Sequence, residues 1–178
     1  MAPKRIMFIR HAEKPGEPPN ENDGGVKKNG ETDKESLTVR GWQRAGALAH
    51  FFSSQFPMRP NVIFASGIGD DSKSHRPKQT ATPLAELLKM DINTNHLKND
   101  LKPLIDDVVK QIGIVLVAWE HQLIPSLVGH LPNPPTVPQK WPGDRFDIVW
   151  VFDADGADWK FSQIPQLLLA GDSSKLIT

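Results

Sequence analysis

The sequence predicts a three-layer α/β/α fold with a mainly parallel central sheet and an antiparallel edge formed by the C-terminal strands. Two observations support this fold class. Short apolar runs typical of buried strands alternate with amphipathic segments typical of helices through residue 131. Two further apolar runs then flank the turn sequence DADGAD, which predicts a closing hairpin. The length of 178 residues favours a single domain covering residues 1–178.

The strands are predicted from apolar runs that are bounded by polar or turn-forming residues. The first run, KRIMFIR, is rich in isoleucine and phenylalanine, and GIVLVAW is the clearest buried strand of the chain. A shorter run before residue 96 is typical of an edge strand. The expected strands are residues 4–10, 61–66, 90–95, 113–119, 147–152 and 159–164.

The helices are predicted from apolar residues that recur at intervals of three and four. Thr38 is a suitable N-cap, and Trp42, Ala45, Ala49 and Phe52 then form one apolar face. Pro103 is acceptable because it falls in the first turn of its segment. The expected helices are residues 38–53, 76–90, 100–111 and 123–131.

Two segments are expected to lack regular structure. Residues 15–35 combine prolines, glycines and many charges, which predicts an exposed loop. Loops of this length are usually functional or disordered, so a substrate lid and a mobile excursion both stay open as interpretations. Residues 132–143 form a proline-rich excursion, in which Trp141 is the tryptophan best placed to line a substrate entrance.

Composition excludes several classes of function. Equal numbers of basic and acidic residues, 21 of each, argue against a general nucleic-acid or membrane-surface binder. The absence of cysteine excludes disulfides, thiol catalysis and thiolate metal sites. The histidines and carboxylates lack metal-ligand spacing, so we expect neither a metal nor another cofactor. No apolar run approaches the roughly 20 residues that span a bilayer, and a cytoplasmic protein is expected.

Charged side chains follow the predicted strands at their carboxyl ends, where α/β sheets bind ligands. Arg10 and His11 follow the first strand, Arg76 begins the helix after the second, and Glu120 and His121 follow the GIVLVAW strand. Arginine binds phosphoryl oxygens through two parallel hydrogen bonds and stays charged. Neighbouring cations lower the pKa of a histidine and keep it neutral and nucleophilic. The pattern therefore predicts phosphoryl transfer through a phosphohistidine.

Four segments resemble motifs of the histidine phosphatase superfamily, whose members have the phosphoglycerate-mutase-like fold. RHAEKP is similar to the family's RHG signature, with alanine in place of the glycine, and LTVRGWQRAGAL is similar to its LTxxGxxQA segment. HRPKQTATPLAELL resembles the motif of the second arginine, and VLVAWEHQLIPSLV resembles the strand that ends at the second catalytic histidine. The four segments occur in the family's order.

The resemblance implies a role for each matching residue. His11 would be the nucleophile, and Arg10, Arg76 and His121 would hold the phosphoryl oxygens. Lys14 is a candidate for substrate binding, and the alternative is that its side chain is simply exposed to solvent.

The family also uses a general acid that protonates the leaving group, and the position of that acid in this sequence is matched less clearly by a motif. Glu120 is favoured over Asp100, while Glu13, or no dedicated acid, stays as a further alternative. Glu13 also fits a role in orienting an arginine through a salt bridge.

The resemblance implies a metal-independent phosphatase of the histidine acid phosphatase type, acting on a phosphomonoester. Its partner would be a small phosphorylated substrate or a phosphoprotein, with no nucleic acid and no membrane. Three alternatives stay open: a protein phosphohistidine phosphatase, a phosphomutase, and a phosphate-binding module without turnover. The loop of residues 15–35 and the proline-rich excursion would border the pocket, and such loops do not reveal the substrate.

Overall fold

The computed structural model describes residues 3–18, 22–54 and 57–178, and a central sheet with helices on both faces organises this part of the chain. Each predicted strand and helix is present. The strands are β1 (Arg5–Arg10), β2 (Val62–Ala65), β3 (Ile92–Asn93), β4 (Ile114–Trp119), β5 (Ile148–Asp155) and β6 (Asp158–Pro165). The helices are α1 (Val39–Ser54), α2 (Arg76–Leu88), α3 (Leu101–Val108) and α4 (Ile124–Val128).

The sheet has the strand order β3-β2-β4-β1-β5-β6. Strands β1, β2, β3 and β4 are parallel, whereas β5 is antiparallel to β1 and β6 is antiparallel to β5. In register, Arg10 lies beside Trp119 and Ala65 lies beside Ala118. The carboxyl ends of β1, β2 and β4 therefore meet at one edge of the sheet, as the sequence predicts.

Successive residues of the central strands are buried on opposite faces of the sheet, which produces the three layers. In β1, Ile6 and Phe8 pack in the cluster that includes α3 and α4. Met7 and Ile9 pack in the cluster that includes α1 and α2. All four side chains are at most 1% exposed. This burial on both faces explains why β1 reads as a continuous apolar run. The predicted fold class is confirmed.

Helix α1 begins as predicted, because the Thr38 hydroxyl accepts a hydrogen bond of 3.1 Å from the Gly41 amide. Helix α2 ends at Leu88, two residues before the predicted end. Lys89 has a left-handed backbone with φ 54°, and the Met90 amide donates to the Ala85 carbonyl at 2.9 Å. This capping pattern ends a helix without a glycine.

Helices α3 and α4 are shorter than the predicted ranges 100–111 and 123–131. Beyond Val108 and Val128 the chain changes to turns with hydrogen bonds between residues three apart, such as the 3.1 Å bond from the Gln111 amide to the Val108 carbonyl. The amide of Leu131 likewise bonds the Val128 carbonyl at 3.0 Å. Such tighter turns satisfy the last carbonyls of a helix while ending it.

The two predicted irregular segments have no helix or strand among their described residues, apart from one isolated bridge between Val26 and Thr32. Residues 19–21 of the first segment lie outside the described residues. Trp141 is 1% exposed, and its ring packs 4.9 Å from that of Trp150. It belongs mainly to the core. Among the described residues, no helix is long and apolar enough to cross a membrane.

A buried ion network anchors the segment that follows β1. The Arg44 guanidinium on α1 donates to both carboxylate oxygens of Glu13, at 2.8 to 3.0 Å, and to Asp172 at 2.7 Å. It also donates to the Gln166 side chain at 3.0 Å. Burial disfavours the charged guanidinium, but the hydrogen bonds that it donates to Asp172 and Glu13 outweigh this cost and raise the pKa of Arg44. The network joins β1, α1 and the C-terminal segment.

Removing the cation of this network should destabilise the fold strongly. Arg44→Met removes the guanidinium that pairs with both Glu13 and Asp172, and it leaves Glu13 with the longer contact of 3.4 Å to Arg40. Breaking a buried ion pair in this way typically costs about 3–5 kcal/mol. Urea unfolding monitored by tryptophan fluorescence measures the loss. Arg59→Met removes an exposed arginine and is the matched control, with an expected change within about 0.5 kcal/mol. Equal midpoints for both variants would contradict a structural role of the network.

Candidate active site

His11 lies directly after β1, and the backbone holds it at the edge of the sheet. Its amide donates to the Trp119 carbonyl at 3.0 Å, which extends the β1–β4 ladder by one bond. The imidazole is 1% exposed, and its Nδ1 lies 2.8 Å from the Ala12 carbonyl oxygen. In the neutral ring Nδ1 therefore carries the proton and donates to that oxygen. The other nitrogen, Nε2, keeps its lone pair.

The surroundings of His11 favour the neutral ring. Burial is the main cause that brings the pKa of His11 well below 6.5, and the positive charge of Arg10 is the next. Arg76 and His121 add smaller effects in the same direction, which places all three near the ring. A neutral imidazole among cations is the arrangement that phosphoryl transfer to nitrogen requires.

Arg10 is fully buried at the end of β1, with 0% exposure. One terminal nitrogen of its guanidinium donates to the Gly143 carbonyl, and the other donates to the Glu17 carboxylate. The guanidinium carbon lies 3.7 Å from the centre of the Phe146 ring. Burial lowers the pKa of Arg10, and the charge of Glu17 opposes this effect. The proline-rich excursion thus contacts the site through the backbone of Gly143.

Arg76 is the first residue of α2, and its guanidinium points toward residues 34–36, at the end of the long loop that precedes α1. It donates to the carbonyls of Lys34 and Ser36 at 2.7 and 3.3 Å and to the Ser74 hydroxyl at 3.0 Å. Its partial burial lowers its pKa, while nearby carboxylates, first Glu35, raise it. In this conformation the loop backbone satisfies much of the Arg76 hydrogen-bonding capacity.

His121 follows β4 by two residues and is 6% exposed. Its Nδ1 is buried and has no hydrogen-bond partner among the described residues. Burial is the main cause that lowers the pKa of His121 to about 4, and Arg10 is the next. His121 lines a cavity of about 340 Å³. Its other walls include Glu17, Gln139, Lys140, Trp141 and Gly143.

The three candidate acids occupy different surroundings. Glu120 directly follows β4, and its carboxylate lies 3.8 Å from the Lys98 ammonium. Its negative charge favours the charged forms of Arg10 and Arg76. The Asp100 carboxylate instead accepts the Leu97 amide at 2.8 Å, in the turn before α3. The carboxylate of Glu13 is held by Arg44, as described above, and fits the structural alternative.

Lys14 lies at the rim, and its ammonium contacts the carboxylate of Glu17 at 3.0 Å. Glu17 is a site residue that the sequence reasoning missed. It is one of many charges in an irregular loop, and no periodicity or motif marks it. Thr80 was missed as well: its hydroxyl accepts the Ala12 amide at 2.8 Å and donates to the Arg76 carbonyl at 2.8 Å. That pair of bonds joins the end of β1 to the start of α2.

The structure thus brings together the predicted residues Arg10, His11, Arg76 and His121, with Glu120 and Lys14 at their margin. Asp100 has no contact with this group among the described residues. Within the same residues, no group of three or more His, Asp or Glu side chains is placed to hold a metal ion. Chemically, the arrangement combines a neutral nitrogen nucleophile with fixed cations that stabilise negative charge.

Comparison with known proteins identifies the fold. SixA of Agrobacterium tumefaciens, a proposed phosphohistidine phosphatase, is 20% identical with a TM-score of 0.53, and the match covers 90% of this chain and 96% of that one. YhfR of Bacillus stearothermophilus is 12% identical with a TM-score of 0.54, and the match covers 96% of this chain and 98% of that one. Phosphoglycerate mutase of Plasmodium falciparum is 13% identical with a TM-score of 0.55, and the match covers 97% of this chain and 98% of that one.

These three proteins are members of the histidine phosphatase superfamily. No protein-family model and no curated protein sequence matches the chain. The structural matches confirm the resemblance found in the sequence at the level of fold, and the chain has the phosphoglycerate-mutase-like α/β fold.

The depressed pKa of His11 has a direct consequence in solution. The folded ring should stay neutral as the pH falls through 6.5, whereas the unfolded chain takes up a proton there. The unfolded state then binds more protons, so this histidine lowers the stability of the fold as the pH falls below about 6.5. The ring signals of His11, assigned by their loss in His11→Gln, should not titrate between about pH 7.5 and 5.5 in an NMR experiment. A midpoint near 6.5 would contradict the burial and the cationic surroundings.

Proposed function

We propose that the protein is a metal-independent phosphatase that hydrolyses a phosphomonoester through a phosphohistidine at His11. The observation that carries this proposal is the state of the His11 ring. It is buried, held through Nδ1 by the Ala12 carbonyl at 2.8 Å, and kept neutral next to Arg10. The free Nε2 lone pair is the nucleophile that the reaction needs.

The proposed reaction has two displacements at phosphorus. Nε2 of His11 attacks the phosphoryl group, the bond to the substrate oxygen breaks, and that oxygen takes a proton from Glu120 as it leaves. Water then attacks the phosphorus of the phosphohistidine and gives a proton to the Glu120 carboxylate. The bond from phosphorus to Nε2 breaks, which releases inorganic phosphate and restores the neutral ring. Arg10, Arg76 and His121 stabilise the charge on the phosphoryl oxygens in both transition states.

Glu120 is proposed as the acid because it directly follows β4 beside His121 and its charge acts on both arginines of the site. Glu17 also acts on both arginines, but its carboxylate is paired with Arg10 and Lys14. Asp100 is engaged with the Leu97 amide in the turn before α3. Side-chain cations supply the positive charge in this mechanism, so hydrolysis should continue in EDTA and should not increase with added magnesium or zinc.

Labelling tests the nucleophile. We expect His11→Ala to lose hydrolysis of p-nitrophenyl phosphate by about a thousandfold or more, because the covalent step has no other nucleophile. Wild-type protein quenched during turnover should carry acid-labile, base-stable phosphate on His11. His50→Ala, which removes an exposed histidine of α1, is the matched control and should keep its rate. Labelled phosphate on another residue would refute the mechanism. Failure of wild-type protein to hydrolyse any phosphomonoester would favour the module without turnover.

The dependence on the leaving group tests Glu120. An alkyl alcohol leaves poorly without protonation, whereas nitrophenolate leaves readily. Glu120→Gln should therefore lose about a hundredfold on an alkyl phosphate, as for removal of a general acid, and much less on p-nitrophenyl phosphate. Asp100→Asn is the matched control and should show no such difference. The opposite result would transfer the role to Asp100, and equal losses on both substrates would indicate a structural Glu120.

A protein phosphohistidine phosphatase is the second candidate. The observation that favours it is the similarity in fold to SixA of Agrobacterium tumefaciens, of which this chain covers 96%. An imidazole leaving group needs less protonation than an alkoxide, so this function tolerates the absence of a strong general acid. If neither Glu120→Gln nor Asp100→Asn shows dependence on the leaving group, a phosphohistidine peptide becomes the preferred substrate to assay.

A further inference from the structure

The carboxylate of Glu17 pairs with two of the cations that are proposed to bind the phosphoryl group. Glu17 accepts a hydrogen bond from one terminal nitrogen of Arg10 and lies 3.0 Å from the Lys14 ammonium. The other terminal nitrogen of Arg10 is used by the Gly143 carbonyl. The guanidinium is fully buried, and each terminal nitrogen already has one acceptor, whereas its Nε has no partner among the described residues.

Glu17 also borders the cavity that His121 lines. It lines the same cavity of about 340 Å³ as His121 and Lys140. Partial burial opposes its ionisation, but the charges of Arg10 and Lys14 outweigh burial and hold the pKa of Glu17 below 4.5. The charged and titratable groups around the carboxylate thus include Arg10, Lys14, Arg76, His121 and Lys140. At neutral pH the cavity contains a fixed anion of its own.

We propose that Glu17 is a specificity-determining residue, which competes with the phosphoryl group of the substrate for Arg10 and Lys14. The inference rests on the proposed function. A carboxylate and a phosphoryl group both present oxygen acceptors that a guanidinium binds through its fork. Both cannot accept the same N–H of Arg10 with good geometry. A phosphoryl group that binds the terminal nitrogen of Arg10 now held by Glu17 must therefore displace that carboxylate.

The anchoring of the loop determines where the displaced carboxylate goes. Glu13, four residues earlier, is held by the buried Arg44, so the chain can move only from about Lys14 onward. The displaced Glu17 therefore stays at the cavity entrance. There it repels a second negative charge near the phosphoryl group. The site should accept phosphorylated groups without an adjacent anion more readily than those that carry one.

Competition of this kind lowers apparent affinity. The observed affinity for phosphate is reduced by the fraction of molecules in which Arg10 is free of Glu17. Removing the negative charge of Glu17 should therefore increase the observed affinity for phosphate. Damage to the pocket would weaken phosphate binding, so tighter binding is a result that a merely disturbed structure does not produce.

Calorimetric titration with inorganic phosphate at fixed ionic strength tests the proposal without turnover. Glu17→Gln keeps the shape of the side chain and removes its charge, and Glu17→Ala removes the hydrogen bond between residue 17 and Arg10. Both variants should bind phosphate more tightly than wild type, on the order of tenfold. The matched control is Glu31→Gln in the same loop, where the carboxylate pairs with Lys27 at the surface, and it should leave the affinity unchanged.

Unchanged or weaker phosphate binding in both Glu17 variants would overturn the competition. If wild type still forms labelled His11 in that case, the proposed function stands and only the role of Glu17 is wrong. If neither wild type nor the Glu17 variants bind phosphate, the competition is likewise overturned. Absence of hydrolysis and of labelling would then overturn the proposed function as well.

Discussion

The burial of the Arg10 guanidinium is the constraint on which the site depends. Moving a charge out of water costs several kcal/mol unless other groups compensate it. Here the compensation comes from three separate parts of the chain: the Glu17 carboxylate, the Gly143 carbonyl and the face of the Phe146 ring. The long loop, the proline-rich excursion and the segment before β5 are therefore all fixed in part by one side chain.

The same positive charge determines the chemistry of the neighbouring residue. Burial and Arg10 both disfavour the protonated form of His11, and the Ala12 carbonyl fixes the proton of the neutral ring on Nδ1. The feature that is costly for stability is thus the one that keeps the ring of the proposed nucleophile neutral. The buried pair of Glu13 and Arg44 compensates a second charge nearby and anchors the backbone that carries His11. Stability and the proposed reactivity depend on adjacent ion networks.

Much of the candidate site could be predicted from sequence because parallel strands end at one edge of a sheet. Arg10 ends β1, His11 directly follows it, and His121 lies two residues after β4, so identifying the strands already placed these residues at one edge. The carboxylate of Asp100, the alternative acid, accepts the Leu97 amide in the turn before α3, a local contact that the sequence did not predict. Glu17 had no sequence signal, because the path of an irregular loop is determined by contacts that are distant along the chain.

The sequence by itself determined the order and type of the elements, since the periodicity of apolar residues depends on neighbours within about one helical turn or two strand residues. It also determined the apolar character of both faces of β1, because that strand is buried on each side. Only the tertiary structure decided the partners of the buried charges. Arg44 meets Asp172 across 128 positions, and Arg10 meets Gly143 across 133. Such partners are selected by the need to compensate a charge wherever folding has buried it, and no local pattern encodes that location.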